Sequence, residues 1–93
     1  MASVVVTIKI MPVSPEEDLS AIETQAIAAI DAYVGDSKEK RTVQEPIAFG
    51  LKALKITFVM DEKIGSTEPI EQAIAGIEGV NSVDVVDVRR TIG

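Results

Sequence analysis

Alternation between hydrophobic and polar residues is the clearest pattern in the first part of the chain. One side of an extended segment there is apolar throughout, and it is formed by Val4, Val6, Ile8 and Ile10. A period of two is typical of a strand with one buried face. Residues 54–60 alternate in the same way and carry larger apolar side chains, so we expect this second strand to lie in the centre of a sheet.

Between these two strands the hydrophobic period lengthens to that of a helix. Ser14 is positioned to be an N-cap, Pro15 to take the first helical position and Glu17 to complete a capping box. Apolar residues then recur at helical spacing, at Leu19, Ile22, Ala26, Ile27, Ile30 and Tyr33. The pattern predicts a helix with one apolar face that ends at Gly35.

A second helix and a final strand are predicted in the last third of the chain. Residues 66–69 combine a hydroxyl cap with a proline, and apolar residues at helical spacing follow until Gly79, where we expect the helix to end. Residues 80–88 are rich in valine and predict a strand. Because Asp84 and Asp87 interrupt the valines, the pattern does not determine which side of this strand faces inward.

Residues 38–46, between the first helix and the central strand, are charged or β-branched and end at Pro46. Proline cannot donate a hydrogen bond within a sheet, so we predict an edge strand. The element order then predicts an α+β, ferredoxin-like βαββαβ two-layer sandwich, in which a four-stranded antiparallel sheet carries both helices on one face. The 93 residues suit a single domain spanning residues 1–93.

Composition narrows the classes of function. The chain lacks cysteine and histidine, which removes thiolate nucleophiles, zinc-thiolate sites, histidine-based metal sites and the commonest general base near neutral pH. A formal net charge of -6 opposes binding to phosphate backbones. The first residues have neither a signal-peptide pattern nor a membrane-spanning apolar run. We therefore expect a cytoplasmic protein, monomeric when free, whose partner is another protein and neither a nucleic acid nor a membrane.

Proteins of this fold have many different functions, so each candidate function needs its own residues. An RNA-binding sheet would need aromatic side chains where Thr7 and Thr57 are expected, and metal-delivery or acylphosphatase-like domains would need cysteines or an arginine-bearing phosphate loop after the first strand. The carboxylates at positions 16–18 lie where a helix is predicted to start, a place that favours negative charge, and those at positions 61–62 lie at the end of a predicted strand. These positions explain the carboxylates better than a role in acid-base catalysis or calcium binding. We expect no enzyme activity, no catalytic residue, no cofactor and no metal site. An ACT-like regulatory domain that binds a small molecule stays open as an alternative.

Two segments contain residues that the packing of a hydrophobic core does not explain. Residues 46–54 place Phe49, a large apolar ring, beside the flexible Gly50 at the end of a hairpin. The last strand ends in two adjacent cations, Arg89 and Arg90, although the chain as a whole is acidic.

Taken in order, these segments resemble the guanine-nucleotide-exchange domain of translation elongation factor 1-beta in its standalone archaeal form. The family pattern has a Pro-x-x-[Phe/Tyr]-Gly-[Ile/Leu]-Lys-x-Leu stretch before its third strand and a Ser-x-Asp-[Ile/Val] stretch in its last. Residues 46–54 match the first stretch and residues 82–85 match the second. Residues 8–12 fit the family's opening as well, so the resemblance covers essentially the whole chain.

The resemblance implies that the chain binds the GTPase elongation factor 1-alpha and promotes exchange of GDP for GTP during polypeptide elongation. It implies that Phe49, with Gly50 and Lys52 of the same stretch, contacts the partner, and that the ring enters a pocket of the GTPase. It also implies that a cation near the C-terminus approaches the partner's magnesium site. Arg90 corresponds most closely to this cation, and Arg89 is the alternative.

A small basic group lies in the first strand of the hairpin and is formed by Lys38, Lys40 and Arg41. These charges suit the acidic surface of a GTPase, and Arg41 is our candidate contact among them. Protection of an edge strand explains the same charges equally well.

Overall fold

Six elements follow one another in the predicted order of strand, helix, strand, strand, helix, strand. The computed structural model of the protein describes residues 2–35 and 40–92, so Lys38 lies outside the described residues. The strands are β1 (Ala2–Pro12), β2 (Lys40–Pro46), β3 (Lys52–Asp61) and β4 (Val80–Ile92). The helices are α1 (Leu19–Val34) and α2 (Glu68–Ala75), and a short 3₁₀ helix, Glu62–Ile64, follows β3.

The strands form one antiparallel sheet in the order β2-β3-β1-β4. β1 and β3 lie in the centre and β2 lies at an edge. The predicted central position of β3 and the predicted edge position of β2 are confirmed. Val6 of β1 lies opposite Phe58 of β3, and both are buried on one face of the sheet. On the other, open face Thr7 lies opposite Thr57, and their hydroxyl oxygens are 3.0 Å apart. The predicted placement of these threonines is therefore confirmed.

Both helices cover the buried face of the sheet. α1 contributes Ile22, Ala26 and Ile30 to the core, and α2 contributes Ile70 and Ile74, each at most 2% exposed. Burying each of the larger side chains contributes about 1.5–3 kcal/mol. The predicted βαββαβ sandwich is confirmed. Within the described residues, neither helix is long and apolar enough to cross a membrane.

The predicted start of α1 is wrong. The helix begins at Leu19, and its N-cap is Asp18 and not Ser14. The Asp18 carboxylate accepts hydrogen bonds from the backbone N–H groups of Ser20 at 3.0 Å and Ala21 at 3.3 Å. These bonds satisfy two of the donors that a helix start leaves without partners in the helix. The predicted end at Gly35 is confirmed.

The segment before the helix contacts a distant part of the chain. The backbone N–H of Val13 donates to the carbonyl of Gly79, at 2.9 Å, which ties the segment after β1 to the loop before β4. Residues 14–17 then form a turn, in which the Glu17 N–H donates to the Ser14 carbonyl at 3.3 Å. The proposed capping box is therefore a turn between β1 and the helix.

The start of α2 is confirmed and its predicted end is wrong. The Ser66 hydroxyl accepts a hydrogen bond from the Glu68 N–H at 3.1 Å, so the predicted cap segment does open the helix. The helix ends at Ala75, with Gly76 as its C-cap. Gly79 lies in the following turn, where its φ of 95° is a conformation that favours glycine.

β4 contains a β-bulge, and its pairing with β1 shows which residues of this strand face inward. Val86 is an extra residue between two regular pairs, Val85 opposite Ile8 and Asp87 opposite Thr7. Asp84 and Asp87 consequently share the open face although they are three positions apart. The sequence alternation fails here because the period of two is interrupted by one residue.

Candidate functional site

The turn between β2 and β3 presents Phe49 to solvent. Two backbone hydrogen bonds close the turn, from the Ile47 N–H to the Leu51 carbonyl and from the Leu51 N–H to the Ala48 carbonyl, both at 2.9 Å. Phe49 has a φ of 54° and is 96% exposed. The backbone of the turn is therefore fixed by hydrogen bonds, and the ring of Phe49 is exposed to solvent.

Neither feature of Phe49 contributes to the stability of the free chain. A non-glycine residue with a positive φ is strained by about 1–2 kcal/mol. A phenylalanine left in water also forgoes about 1.5–3 kcal/mol that burial would contribute. Phe49 does not cap the core, because Phe58 fills the core and Phe49 lies outside it. An exposed aromatic on a fixed turn is typical of the anchors of protein interfaces.

Gly50 and Lys52 lie at the same end of the sheet as Phe49. Gly50 has a φ of 81°, and a Cβ atom built on it would lie 3.8 Å from the Cβ of Pro15 in the loop after β1. Lys52 is the exposed first residue of β3. A groove of about 370 Å³ runs beside the turn, between Gly50 and Lys52 on one side and Pro15 and Asp18 on the other.

The two described members of the basic group, Lys40 and Arg41, lie on opposite faces of the sheet. Lys40 and Arg41 are neighbours in β2, so their side chains point in opposite directions. The Lys40 Nζ lies 2.6 Å from an Asp31 carboxylate oxygen of α1, and the lysine side chain is only 17% exposed. Arg41 is exposed on the open face, opposite Thr57. Of these two cations, Arg41 is the one accessible to a partner.

The two arginines of β4 also point to opposite faces. Arg89 lies on the open face, with its Nε 3.0 Å from the Asp87 carboxylate. Arg90 lies on the helix-covered side and makes two contacts with Glu62, one between Nε and Oε2 and one from Nη2 to Oε1 at 3.1 Å. Their side chains are 77% and 67% exposed, respectively, so both cations remain accessible.

The aromatic ring and the arginines lie at opposite ends of the sheet. Arg90 pairs with Val4 near the start of β1, whereas the turn that carries Phe49 lies beyond the level of Pro12, at the end of β1. At about 3.3 Å per residue, the distance along β1 from Val4 to Pro12 is about 26 Å. The structure therefore does not bring the predicted anchor and the predicted cations together.

The acidic clusters have structural roles. Asp18 caps α1, and an Asp61 carboxylate oxygen accepts a hydrogen bond from the Lys63 N–H at 2.9 Å, at the start of the 3₁₀ helix. Glu62 binds Arg90, a contact that the sequence analysis does not predict. Across residues 2–35 and 40–92, no group of three or more acidic side chains is arranged to hold a metal ion.

Comparisons with known proteins agree on one family. Residues 5–91 match the family described as the EF-1 guanine nucleotide exchange domain. A protein named Elongation factor 1-beta from Methanosphaera stadtmanae is 48% identical over 90 residues, which cover 97% of this chain and 98% of that protein. Proteins of the same name from Methanosarcina barkeri and Methanothermobacter thermautotrophicus are 44% and 43% identical, over 97% of this chain and 99% and 98% of their own lengths. The ligand-binding regulatory alternative gains no support from these relatives.

Proposed function

The chain belongs to the EF-1 guanine nucleotide exchange domain family, and from this premise we propose that it binds elongation factor 1-alpha and speeds the replacement of GDP by GTP on that GTPase. In this proposal residues 1–93 act as one exchange domain in the cytoplasm, as a monomer when free. The chain makes and breaks no covalent bond itself. The net charge of -6 is consistent with a protein partner and opposes direct contact with nucleic acid.

The observation that carries the proposal is the exposure of Phe49, at 96%, on a closed turn. A ring held in this way enters a pocket of the partner with little loss of conformational freedom, because the free chain has already fixed its backbone. Gly50 and Lys52 flank the ring and are proposed to complete this contact. Arg41, on the open face, is proposed to meet acidic groups at the rim of the interface.

A cation at the other end of the sheet promotes release of the nucleotide. Bound GDP is held by contacts to its phosphates and by Mg²⁺ that bridges them to the GTPase. A guanidinium that occupies the region of the metal weakens this hold while its positive charge compensates for the lost metal charge. Arg90 or Arg89 supplies this group.

The separation of about 26 Å along β1 sets a geometric condition on the partner. The pocket for Phe49 and the magnesium site should therefore be separated by a distance of this order on the GTPase surface. The factor must also bind the nucleotide-free partner more tightly than the GDP-loaded one, because only a difference in affinity shifts the equilibrium.

Release of a fluorescent GDP analogue from elongation factor 1-alpha tests the proposal. Amounts of the chain well below those of the GTPase should accelerate release in the presence of excess unlabelled GTP. Arg90→Ala should lower the maximal release rate by about tenfold, which corresponds to about 1.4 kcal/mol of lost stabilisation, while the complex still forms. A release rate that does not change on addition of the wild-type chain would refute the proposal.

Removal of magnesium separates the proposed mechanism from simple docking. With a chelator present the nucleotide loses its metal contact before the chain arrives. The acceleration by the wild-type chain should then become smaller, because the step that it promotes has already occurred. An acceleration of equal size with and without magnesium would exclude displacement of the metal as the mechanism.

A further inference from the structure

The contact between Glu62 and Arg90 uses only one edge of the guanidinium. Arginine carries five N–H donors in a planar fork. The Nε and Nη2 atoms of Arg90 face the two carboxylate oxygens of Glu62. The Nη1 group lies on the far side of the fork, where its two N–H groups can contact an anion while the pair stays intact.

The backbone on both sides of Glu62 is held in a hydrogen-bonded turn. The preceding residue, Asp61, accepts the hydrogen bond from the Lys63 N–H that starts the 3₁₀ helix. At the other end, the Gly65 N–H donates to the Glu62 carbonyl at 3.1 Å. Gly65 has a φ of 84°, a conformation that favours glycine at this turn. Glu62 therefore projects toward Arg90 from a well-defined turn.

Arg89 is held differently. Its partner, Asp87, lies two residues earlier on the same strand. A single contact joins the two side chains, in which the Arg89 Nε lies 3.0 Å from an Asp87 carboxylate oxygen. The Arg89 side chain is also the more exposed of the two, at 77% against 67% for Arg90. Of the two arginines, Arg90 alone is held through two atoms by a carboxylate on a separate element.

We infer that Glu62 is a positioning residue for nucleotide exchange, which holds the Arg90 guanidinium at the end of the sheet with its Nη1 group directed toward the phosphates of the partner's nucleotide. This inference rests on the proposed function and selects Arg90, and not Arg89, as the cation that acts. A long side chain loses rotamer freedom when it enters a binding site, and the contact with Glu62 removes part of that freedom before the partner arrives.

Kinetics of release with fluorescent GDP on elongation factor 1-alpha test the role of Glu62. Glu62→Gln keeps the size of the side chain and removes its charge. It should lower the maximal release rate about three- to tenfold, because that is the range that partial ordering of one long side chain supplies. The concentration of the chain at half-maximal rate should change by less than about twofold, since Glu62 acts only after docking. Asp87→Asn, which removes the carboxylate next to Arg89, is the matched control and should leave the rate unchanged.

A double variant distinguishes positioning from a general structural effect. In the Arg90→Ala background, Glu62→Gln should cause no further loss, because the residue that it positions is absent. An equal loss in this background would assign Glu62 a structural role and overturn the inference. An unchanged or faster release with Glu62→Gln alone would overturn it as well.

A measurement on the free chain keeps this inference distinct from the proposed function. The Nε–H proton of Arg90 should exchange with solvent more slowly in the wild-type chain than in Glu62→Gln by NMR. If this protection is present but the wild-type chain does not accelerate release, the proposed function fails although the pair exists. If the protection is absent, the pair does not form in solution and the positioning role fails, whatever the release rate.

Discussion

Phe49 and Arg90 lie at opposite ends of one antiparallel sheet, with about 26 Å of β1 between the levels of the two. Substitutions more than about 10 Å apart that share no contacts usually have additive effects. For the variants Phe49→Ala and Arg90→Ala, the changes in the activation free energy of GDP release should therefore sum to that of the double variant within about 0.5 kcal/mol. Release kinetics below saturation check this sum. A clear deviation would mean that binding of the ring and action of the cation are coupled through the partner.

Phe49→Ala should weaken binding to elongation factor 1-alpha by about 1–3 kcal/mol, because aromatic anchors carry much of the free energy of interfaces. The stability of the free chain should stay within about 0.5 kcal/mol, since the ring is 96% exposed. Titration calorimetry and urea unfolding measure the two effects. Ile47→Ala in the same turn is the matched control, because Ile47 is also an exposed apolar residue, at 42%. An equal loss of affinity in both variants would show that the turn as a whole, and not the ring, is the anchor.

Asp18→Ala should lower the free energy of unfolding by about 1 kcal/mol, the usual effect of removing an N-cap. The carboxylate of Asp18 accepts two backbone hydrogen bonds at the start of α1. Ser14→Ala removes the residue that the sequence pattern favours as the cap, and it should change stability by less than about 0.5 kcal/mol. Urea unfolding of both variants decides between the two caps. A larger loss for Ser14→Ala would contradict the helix start at Leu19.

Glu45→Gln should destabilise the chain by up to about 1 kcal/mol at low salt and by much less at about 1 M NaCl, where the Debye length is about 3 Å. The Glu45 carboxylate lies 3.9 Å from the Lys9 Nζ and 3.5 Å from the Lys55 Nζ on the open face. Without it the two lysines repel each other. Glu16→Gln changes the net charge equally at an exposed position, so it corrects for the general effect of charge. Urea unfolding at both salt concentrations measures the free energy of unfolding of the two variants. Equal values for both variants would refute a specific role for Glu45.

Lys40 and Arg41 should respond differently to replacement by alanine. Lys40→Ala should lower stability by about 1 kcal/mol, because it removes the partner of Asp31 and the packing of a mostly buried stem. Arg41→Ala should leave stability unchanged and slow association with the partner by about two- to fivefold at low salt, as expected for a charge at the rim of an interface. Stopped-flow association rates and urea unfolding separate these outcomes. Slower association with Lys40→Ala as well would indicate that the two cations act as one patch.

The sequence predicts the fold well where a single period runs without interruption. Buried and partly exposed residues alternate over residues 6–12 of β1 and 54–60 of β3. α1 has one apolar stripe that ends at a glycine, so these elements and their inward faces follow from the pattern. The predicted start of α1 is wrong because the segment with the capping pattern forms a turn, and the hydrogen bond from Val13 to Gly79 ties the chain before that turn to residues far away in sequence. Local capping signals carry no information about such a contact.

The candidate site is only partly readable from the sequence. Phe49 is recognisable because it departs from the pattern of both neighbouring strands. Glu62 is not recognisable, because its contact with Arg90 spans 28 positions and depends on the turn after β3. The separation of Phe49 from Arg90 does follow from the strand order, since an antiparallel sheet places the end of β4 beside the start of β1.

The bulge at Val86 has a consequence for how the length of this chain can vary. The residues on either side of it, Val85 and Asp87, would still lie opposite Ile8 and Thr7 if Val86 were deleted, because regular antiparallel pairing needs no residue between them. Every later side chain, including Arg89 and Arg90, would keep its face of the sheet. A deletion of one residue elsewhere in a regular stretch would instead move each following side chain to the opposite face. Val86 thus marks a position where evolution or design can shorten the strand without exchanging the roles of its two arginines.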